Sequence, residues 1–323
     1  MILILSEERD HATNDVIDWL RQRRQPFLRI NDSDEIQLHD IRITSSECNL
    51  YFSLHNDPKT YSLSDFQSYW YRRGDICLAP PQPGKVNALS ERIGQYLQHE
   101  NGKLREFFLR ELDKIPNRIG SILDLKHNKL SNLVAAAECG LLIPDTHVIT
   151  QRKTLRKLHA PLVSKAIYNN FDVFTPEYHV NSYTSRVQDT DMEADEALFP
   201  SLVQGFVRKQ LDLRVFYLRK RMWAAAVFSQ NDEQTKTDYR RYNDAKPNRM
   251  EALQLPAALQ KNICRLMDKL EMACGSLDFA LTARGEYYFL EVNPVGQFSA
   301  MSFACGFNIE KAIADELCKP YIS

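Results

Sequence analysis

The chain has 323 residues, 44% of them hydrophobic and 26% charged, and its 41 basic and 42 acidic side chains leave a formal net charge of −1. That length carries a large core and two or three subdomains. Balanced charge excludes a general binder of nucleic acid or of membrane surfaces, because no excess of either sign drives such contact.

"MILIL" at the N-terminus reads as a buried strand, too short for the apolar core of a signal peptide. No apolar run approaches the roughly 18 residues of a membrane-spanning helix. In "TNDVIDWLRQRR", Thr13 is the expected N-cap, and Val16, Ile17 and Leu20 share one helical face. "PFLRIN" is a second strand, and "IRITS" with "LYFSL" predicts a hairpin, so the chain opens as an α/β layer. After the Pro/Gly punctuation "APPQPG", Val86–Leu112 reads as helix. In the next helix, over 128–139, Leu130, Leu133, Val134 and Ala137 recur at helical spacing, and Gly140 stands where a left-handed C-cap would end it. Strands follow at Pro161–Ala166, Ser201–Val207, Leu213–Leu218 and Met222–Phe228, with a polar acidic stretch, Gln188–Glu196, read as loop. A helix over Ala257–Ala273, the hairpin "SLDFALTARGEYYFLEVNP" and a last helix from near Asn308 complete the chain. The seven cysteines contain no C-x-x-C pair, which fits reduced thiols in a cytoplasm better than disulfides or zinc.

The hairpin carries polar groups inside apolar strands. With Arg284-Gly285 as a two-residue turn, Asp278 lies directly opposite Glu291. Asn293, two residues on, shares the face of Glu291. Two carboxylates and a carboxamide are hard oxygen donors suited to Mg²⁺, which keeps waters and takes phosphate oxygens. A three-residue turn would shift that pairing by one. The competing reading is an edge hairpin whose carboxylates face solvent. Against it stand the apolar neighbours in "LDFAL" and "YYFLEV", since a buried carboxylate without a partner is costly.

Lys165, inside the apolar strand "PLVSKAI", calls for an anionic partner such as phosphate. Lys129, at a helix start, reads by itself more readily as an exposed helix lysine than as a ligand. "LVQGFV" offers backbone groups for a nucleobase, Arg214 sits in the strand "DLRVFYL", and "TDYRRYN" supplies Asp238, Arg240 and Arg241. Arginine there suits bidentate contact with phosphate or carboxylate. The sequence has no G-x-x-x-x-G-K-[ST], G-x-G-x-x-G or G-x-S-x-G motif.

Taken in order, "NKLSNLVAAAECGLLIPDT", "PLVSKA", "LVQGFV", "DLRVFYL", "DYRRYN" and "LDFAL…YYFLEVNP" resemble successive motifs of the ATP-grasp ligases, in the branch that includes ribosomal-protein S6 glutamate ligase. "HATNDVIDWL", "FLRIND", "SYWYRRGD" and the tail "GQFSAMSFACGFNIEKAIADEL" extend the resemblance to the graspetide (microviridin-type) peptide maturases, above all the grasp-with-spasm group. The resemblance implies an α/β ATP-grasp fold: an N-terminal pre-ATP-grasp α/β domain (1–115), a central subdomain (116–200) and a C-terminal subdomain with the metal site (201–323), the last two sandwiching the nucleotide. It implies a cytoplasmic, dimeric enzyme that uses ATP and Mg²⁺ to activate Asp or Glu side chains of a ribosomal precursor peptide (leader plus core) as acyl-phosphates. Thr, Ser or Lys side chains then close ester or amide cross-links. The alternative is a ligase that adds free amino acids to a protein or peptide.

By position, the resemblance assigns Lys129 and Lys165 to the nucleotide phosphates. It assigns Gln204, Phe206 and Val207 to the adenine hinge, Lys209 to the ribose or base, and Asp278, Glu291 and Asn293 to Mg²⁺. Arg214 and Arg240 would stabilise the transferring phosphoryl group. Relatives commonly carry an acidic residue where this chain has Gly205. Arg72, Arg73, Asp238 and Arg241 are candidate contacts for the peptide, and for Arg72 and Arg73 interdomain ion pairs are the equal alternative.

Overall fold

The computed structural model describes residues 1–79, 88–126, 128–158, 161–168, 172–175, 177–181, 183–188, 197–232, 234–239, 245 and 247–320. The chain divides into two compact units, Met1–Lys126 with Asn308–Ser323, and His127–Phe307.

The first unit runs β1 (Ile2–Ser6), α1 (His11–Gln22), β2 (Phe27–Asn31), β3 (Glu35–Ile43), β4 (Cys48–Leu54), β5 (Asp57–Ser62), β6 (Ser68–Tyr71), β7 (Cys77–Leu78), α2 (Ala88–Leu112) and β8 (Asn117–Ile119). Strands β2-β1-β6-β8 form a parallel sheet. Its centre, Ile2–Leu5, is buried throughout, as a parallel strand covered on both faces requires. The predicted hairpin of "IRITS" with "LYFSL" is present as β3–β4, its first strand beginning earlier at Glu35 and ending at Ile43, within a second sheet ordered β5-β4-β3-β7. Helix α1 begins earlier than its sequence suggests. Asp10 is the N-cap and accepts from the Thr13 amide, while the Thr13 hydroxyl is buried against Ser6 at 2.8 Å. The helix Ile309–Leu317 belongs to this unit and packs on α1. Arg23 pairs with Asp315, and Ser68 and Asn117 donate to the carbonyls of Leu317 and Glu316 at 2.7 and 2.8 Å. The sequence division places 201–323 in one subdomain; the returning helix instead completes the β6–β8 end of the first sheet.

The second unit contains α3 (Lys129–Glu138), β9 (Thr146–Gln151), α4 (Arg152–Leu155), β10 (Leu162–Lys165), β11 (Asp172–Phe174), β12 (His179–Asn181), β13 (Ser185–Arg186) and β14 (Ala197–Gly205). After these come β15 (Lys209–Leu218), β16 (Arg221–Val227), β17 (Met250–Ala252), α5 (Ala257–Lys269), β18 (Cys274–Thr282), β19 (Tyr287–Asn293) and α6 (Ser299–Cys305). One antiparallel sheet has the order β13-β10-β14-β9; another has β17-β16-β15-β18-β19. In β15 and β18 of the five-stranded sheet the period-2 alternation sorts residues between two faces. Leu213, Val215, Leu277, Phe279, Phe289 and Val292 enter the core with α3 and α5, whereas Asp212, Arg214 and Asp278 lie on the opposite face. In α3 the buried residues are Asn132, Leu133, Ala135 and Ala136, and Val134 is 58% exposed. The expected stripe through Val134 and Ala137 is therefore rotated. Small Ala135 and Ala136 let the helix approach the sheet closely, and Gly140 (φ 84°) ends it as expected.

Candidate active site

The β18–β19 hairpin departs from the expected turn. Thr282 N donates to Glu286 O and Gly285 N to Thr282 O, both at 3.0 Å, so the turn is the three residues Ala283, Arg284 and Gly285, the last left-handed at φ 78°. Near the turn Leu281 pairs with Tyr287 and Phe279 with Phe289; beyond it Asp278 pairs with Glu291 and Leu277 with Val292. A bulge at Leu290 absorbs the extra residue. Without it Glu291 would face the core beside Phe289. With it, Leu290 and Glu291 both line one cavity, and Val292 returns to the core.

Strand pairing carries this row across the sheet, Arg214 to Asp278 to Glu291. Arg214 Nε is 3.6 Å from Asp278 Oδ1, Tyr239 Oη donates to that oxygen at 3.0 Å, and Lys129 Nζ is 3.7 Å from Glu291. Burial, and then the charge of Asp278, push the Tyr239 phenol well above its usual range, so it stays a donor. Asn293 is exposed at the strand end, where its Oδ1 accepts from Gly296 N at 3.3 Å.

Lys165 comes from β10 in the other sheet and lines the same cavity as Asp278 and Glu291. Val163, Gln204, Gly205, Phe206, Val207, Ala280 and Leu290 line an adjoining pocket. Gln204 Nε2 donates to Thr146 Oγ1 at 2.8 Å. Its Oε1 is buried and, among the described residues, has no hydrogen-bond partner, so it is an acceptor available to a nucleobase amine. The amides of Gly205 and Phe206 are spent on the carbonyls of Asp145 and Pro161. Lys209 is bound to Asp212 at 2.7 Å and to the Thr237 carbonyl at 3.2 Å, and Asp212 also accepts from Ser229. Burial raises the Asp212 carboxyl, while Lys209 and Ser229 pull it back.

The fold thus brings Lys129, Lys165, Gln204, Phe206, Val207, Lys209, Arg214, Asp278 and Glu291 together, with Asn293 at the rim. Asp238, buried, accepts from the Thr184 amide at 3.4 Å. Arg240 and Arg241 lie outside the described residues. Arg72 and Arg73 are in the first unit. Arg72, 3% exposed, meets Asp10 at 2.9 Å, and Arg73 reaches Asp10 at 3.3 Å and Glu7 at 3.8 Å. These ion pairs join α1 to β6 within one unit, not two domains.

Sequence reasoning missed Asp212, Tyr239 and Leu290. Asp212 had a signal, since it alternates with Arg214 in an apolar strand. Leu290 had none, because its position depends on the bulge. Among the described residues no group of three or more His, Cys, Asp or Glu gathers as a metal site. The donor set is instead two carboxylates and a carboxamide. It fits Mg²⁺, which needs only one or two protein carboxylates when phosphates and waters complete its shell.

Lys165 and Gln204 from one sheet thus meet Asp278 and Glu291 from the other around adjoining pockets. No protein-family model and no curated protein matches the sequence. Solved structures do. The RiPP-associated ATP-grasp ligase of Chryseobacterium gregarium, in complex with ADP and a leader and core peptide, is 21% identical over 99% of both chains, at a TM-score of 0.78. The macrocyclase MdnC of Microcystis aeruginosa MRC, bound with precursor peptide MdnA, is 21% identical over 98% of both chains, with a TM-score of 0.74. The ATP-grasp ligase PsnB, complexed with minimal precursor, Mg and ADP, is 15% identical over 98% of this chain and 96% of that one, with a TM-score of 0.71. The chain has the ATP-grasp fold, along essentially its whole length.

Proposed function

We propose that the protein is an ATP- and Mg²⁺-dependent ligase that cross-links side chains of a ribosomal precursor peptide, a graspetide synthetase. The observation that carries this is the row Arg214–Asp278–Glu291 on one sheet with Lys165 opposite it. Two carboxylates able to hold a cation lie beside cations able to hold the phosphates that cation would share. The similar structures that contain ADP together with a precursor peptide support the same reading.

In this reading Gln204 and the Phe206–Val207 backbone hold the adenine, and Lys209, fixed by Asp212, lies at the ribose end. Lys165 binds phosphate oxygens, and Lys129 turns from Glu291 to join it. Asp278, Glu291 and Asn293 would hold Mg²⁺, which when bound neutralises charge on the phosphates. Arg214 faces the charge that spreads over the transferring phosphoryl group, a role the resemblance also assigns to Arg240, and preplaced cations lower that barrier. A peptide Asp or Glu oxygen attacks the terminal phosphorus of ATP and ADP leaves. A Thr or Ser hydroxyl, or a Lys amine, then attacks the acyl carbon, losing its proton as phosphate departs. Each ring costs the peptide one water. We also propose that the enzyme is a cytoplasmic homodimer. All seven cysteines are free, and no helix among the described residues is long and apolar enough to cross a membrane.

The test is incubation with ATP, Mg²⁺ and a candidate precursor encoded beside the gene. Loss of one water mass per ring is expected. Gain of an amino-acid residue mass would instead establish a ligase for free amino acids, and an unchanged mass with a proven cognate peptide would refute both.

A further inference from the structure

We infer that Tyr239 is a positioning residue that sets the carboxylate of Asp278 for its divalent cation, and that the segment Thr237–Tyr239 ties the metal-holding face to the lysine at the nucleotide's sugar end. The inference rests on the proposed metal role of Asp278. Three consecutive residues bind three parts of one cavity. The Thr237 carbonyl accepts from Lys209 at 3.2 Å, Asp238 accepts from the Thr184 amide at 3.4 Å, and Tyr239 donates to Asp278 at 3.0 Å. All six residues line that cavity. Tyr239 is 8% and Asp278 6% exposed, so neither can exchange this bond for bulk water.

Tyrosine suits the task for two reasons. Its ring spans from the 237–239 segment to the face of β18, and its hydroxyl fixes one carboxylate oxygen in direction as well as distance. Arg214, 3.6 Å from the same oxygen, supplies charge at a separation too long for a directed bond. Groups that orient a metal ligand in this way typically change metal affinity by about 10- to 100-fold.

The experiment is calorimetric ADP binding to the full chain, with and without Mg²⁺, in the wild type and in Tyr239→Phe. The variant should keep metal-free ADP affinity within about twofold, yet need roughly tenfold more Mg²⁺ for the metal-dependent tightening. An unchanged Mg²⁺ requirement would overturn the inference, and so would an equal loss of metal-free affinity, which marks a packing role. A wild type whose ADP affinity ignores Mg²⁺ would overturn the metal reading beneath it. As a second readout that keeps the hydroxyl, 3-fluorotyrosine at position 239 should shift its fluorine resonance when Mg²⁺ is added to the ADP complex. A stationary resonance would also overturn the inference.

Discussion

Asp278 and Glu291 stand opposite one another across β18 and β19, although the turn joining the strands is one residue longer than that pairing allows. The bulge at Leu290 compensates, so two irregularities cancel and the carboxylates meet. Replacing either by its amide, Asp278→Asn or Glu291→Gln, keeps shape and removes charge. Turnover should fall more than about 100-fold, the scale of losing a group that stabilises the transition state, with an unaltered melting curve. Near-wild-type turnover in either variant would refute the metal assignment.

The same bulge separates neighbours by function. Phe289 is fully buried in the core, and Leu290 lines the proposed nucleotide pocket. Phe289→Ala should cost about 3–5 kcal/mol of stability. Leu290→Ala should raise the KM for ATP and barely move the denaturation midpoint. Equal destabilisation by the two variants would contradict the register.

Lys165→Ala removes a cation from the proposed phosphate site. A rise in the KM for ATP of about tenfold or more is expected, because a charged hydrogen bond is worth roughly 1.5–3 kcal/mol. Steady-state kinetics at saturating peptide would measure it.

Gly296 has φ +53°, and a Cβ there would lie 2.7 Å from Ser276 Oγ and 2.8 Å from Ser276 N. Its amide also holds Asn293. Gly296→Ala must therefore displace the end of β19, and Mg²⁺-dependent ADP binding should weaken. An alanine variant with wild-type metal response would show that Asn293 is dispensable.

Alkaline stability offers an independent check on the first unit. Burial, and then the hydrogen bond to Asp57, push Tyr61 up to about 12 from 10.0. An acid whose folded pKa is raised contributes stability that is full below the unfolded value and is lost as pH rises through the folded one. Urea midpoints should therefore fall between pH 10 and about 12, and Tyr61→Phe should flatten that fall.

The site face was legible in the sequence wherever strict alternation held. In "DLRV" and "SLDFAL" the polar residues fall on alternate positions, and one parity suffices to assign Arg214 and Asp278. That logic fails at "FLEV", where Leu290 and Glu291 share a face, because only the partner strand reveals the bulge. In α3 the run "KLSNLVAAAEC" is apolar on most sides, so periodicity alone does not choose Leu133 and Ala136 over Val134 and Ala137; packing against β19 does. For Arg72 and Arg73 the sequence leaves peptide contact and ion pairing equally open, because nothing in "YWYRRG" announces Asp10, which lies far away in sequence. Tyr239 carries no signal in the sequence, since a buried tyrosine looks like core until its hydroxyl is seen on a carboxylate.

The return of Ile309–Leu317 to the first unit has a consequence for biogenesis. Ser68 and Asn117 find their acceptors on residues translated after 127–307, so the first unit is completed only once that whole second unit has left the ribosome. A C-terminal deletion that removes this helix would thus injure the amino-terminal half and spare the cavity. In limited proteolysis, early cleavage should appear before residue 126, while 127–307 survives.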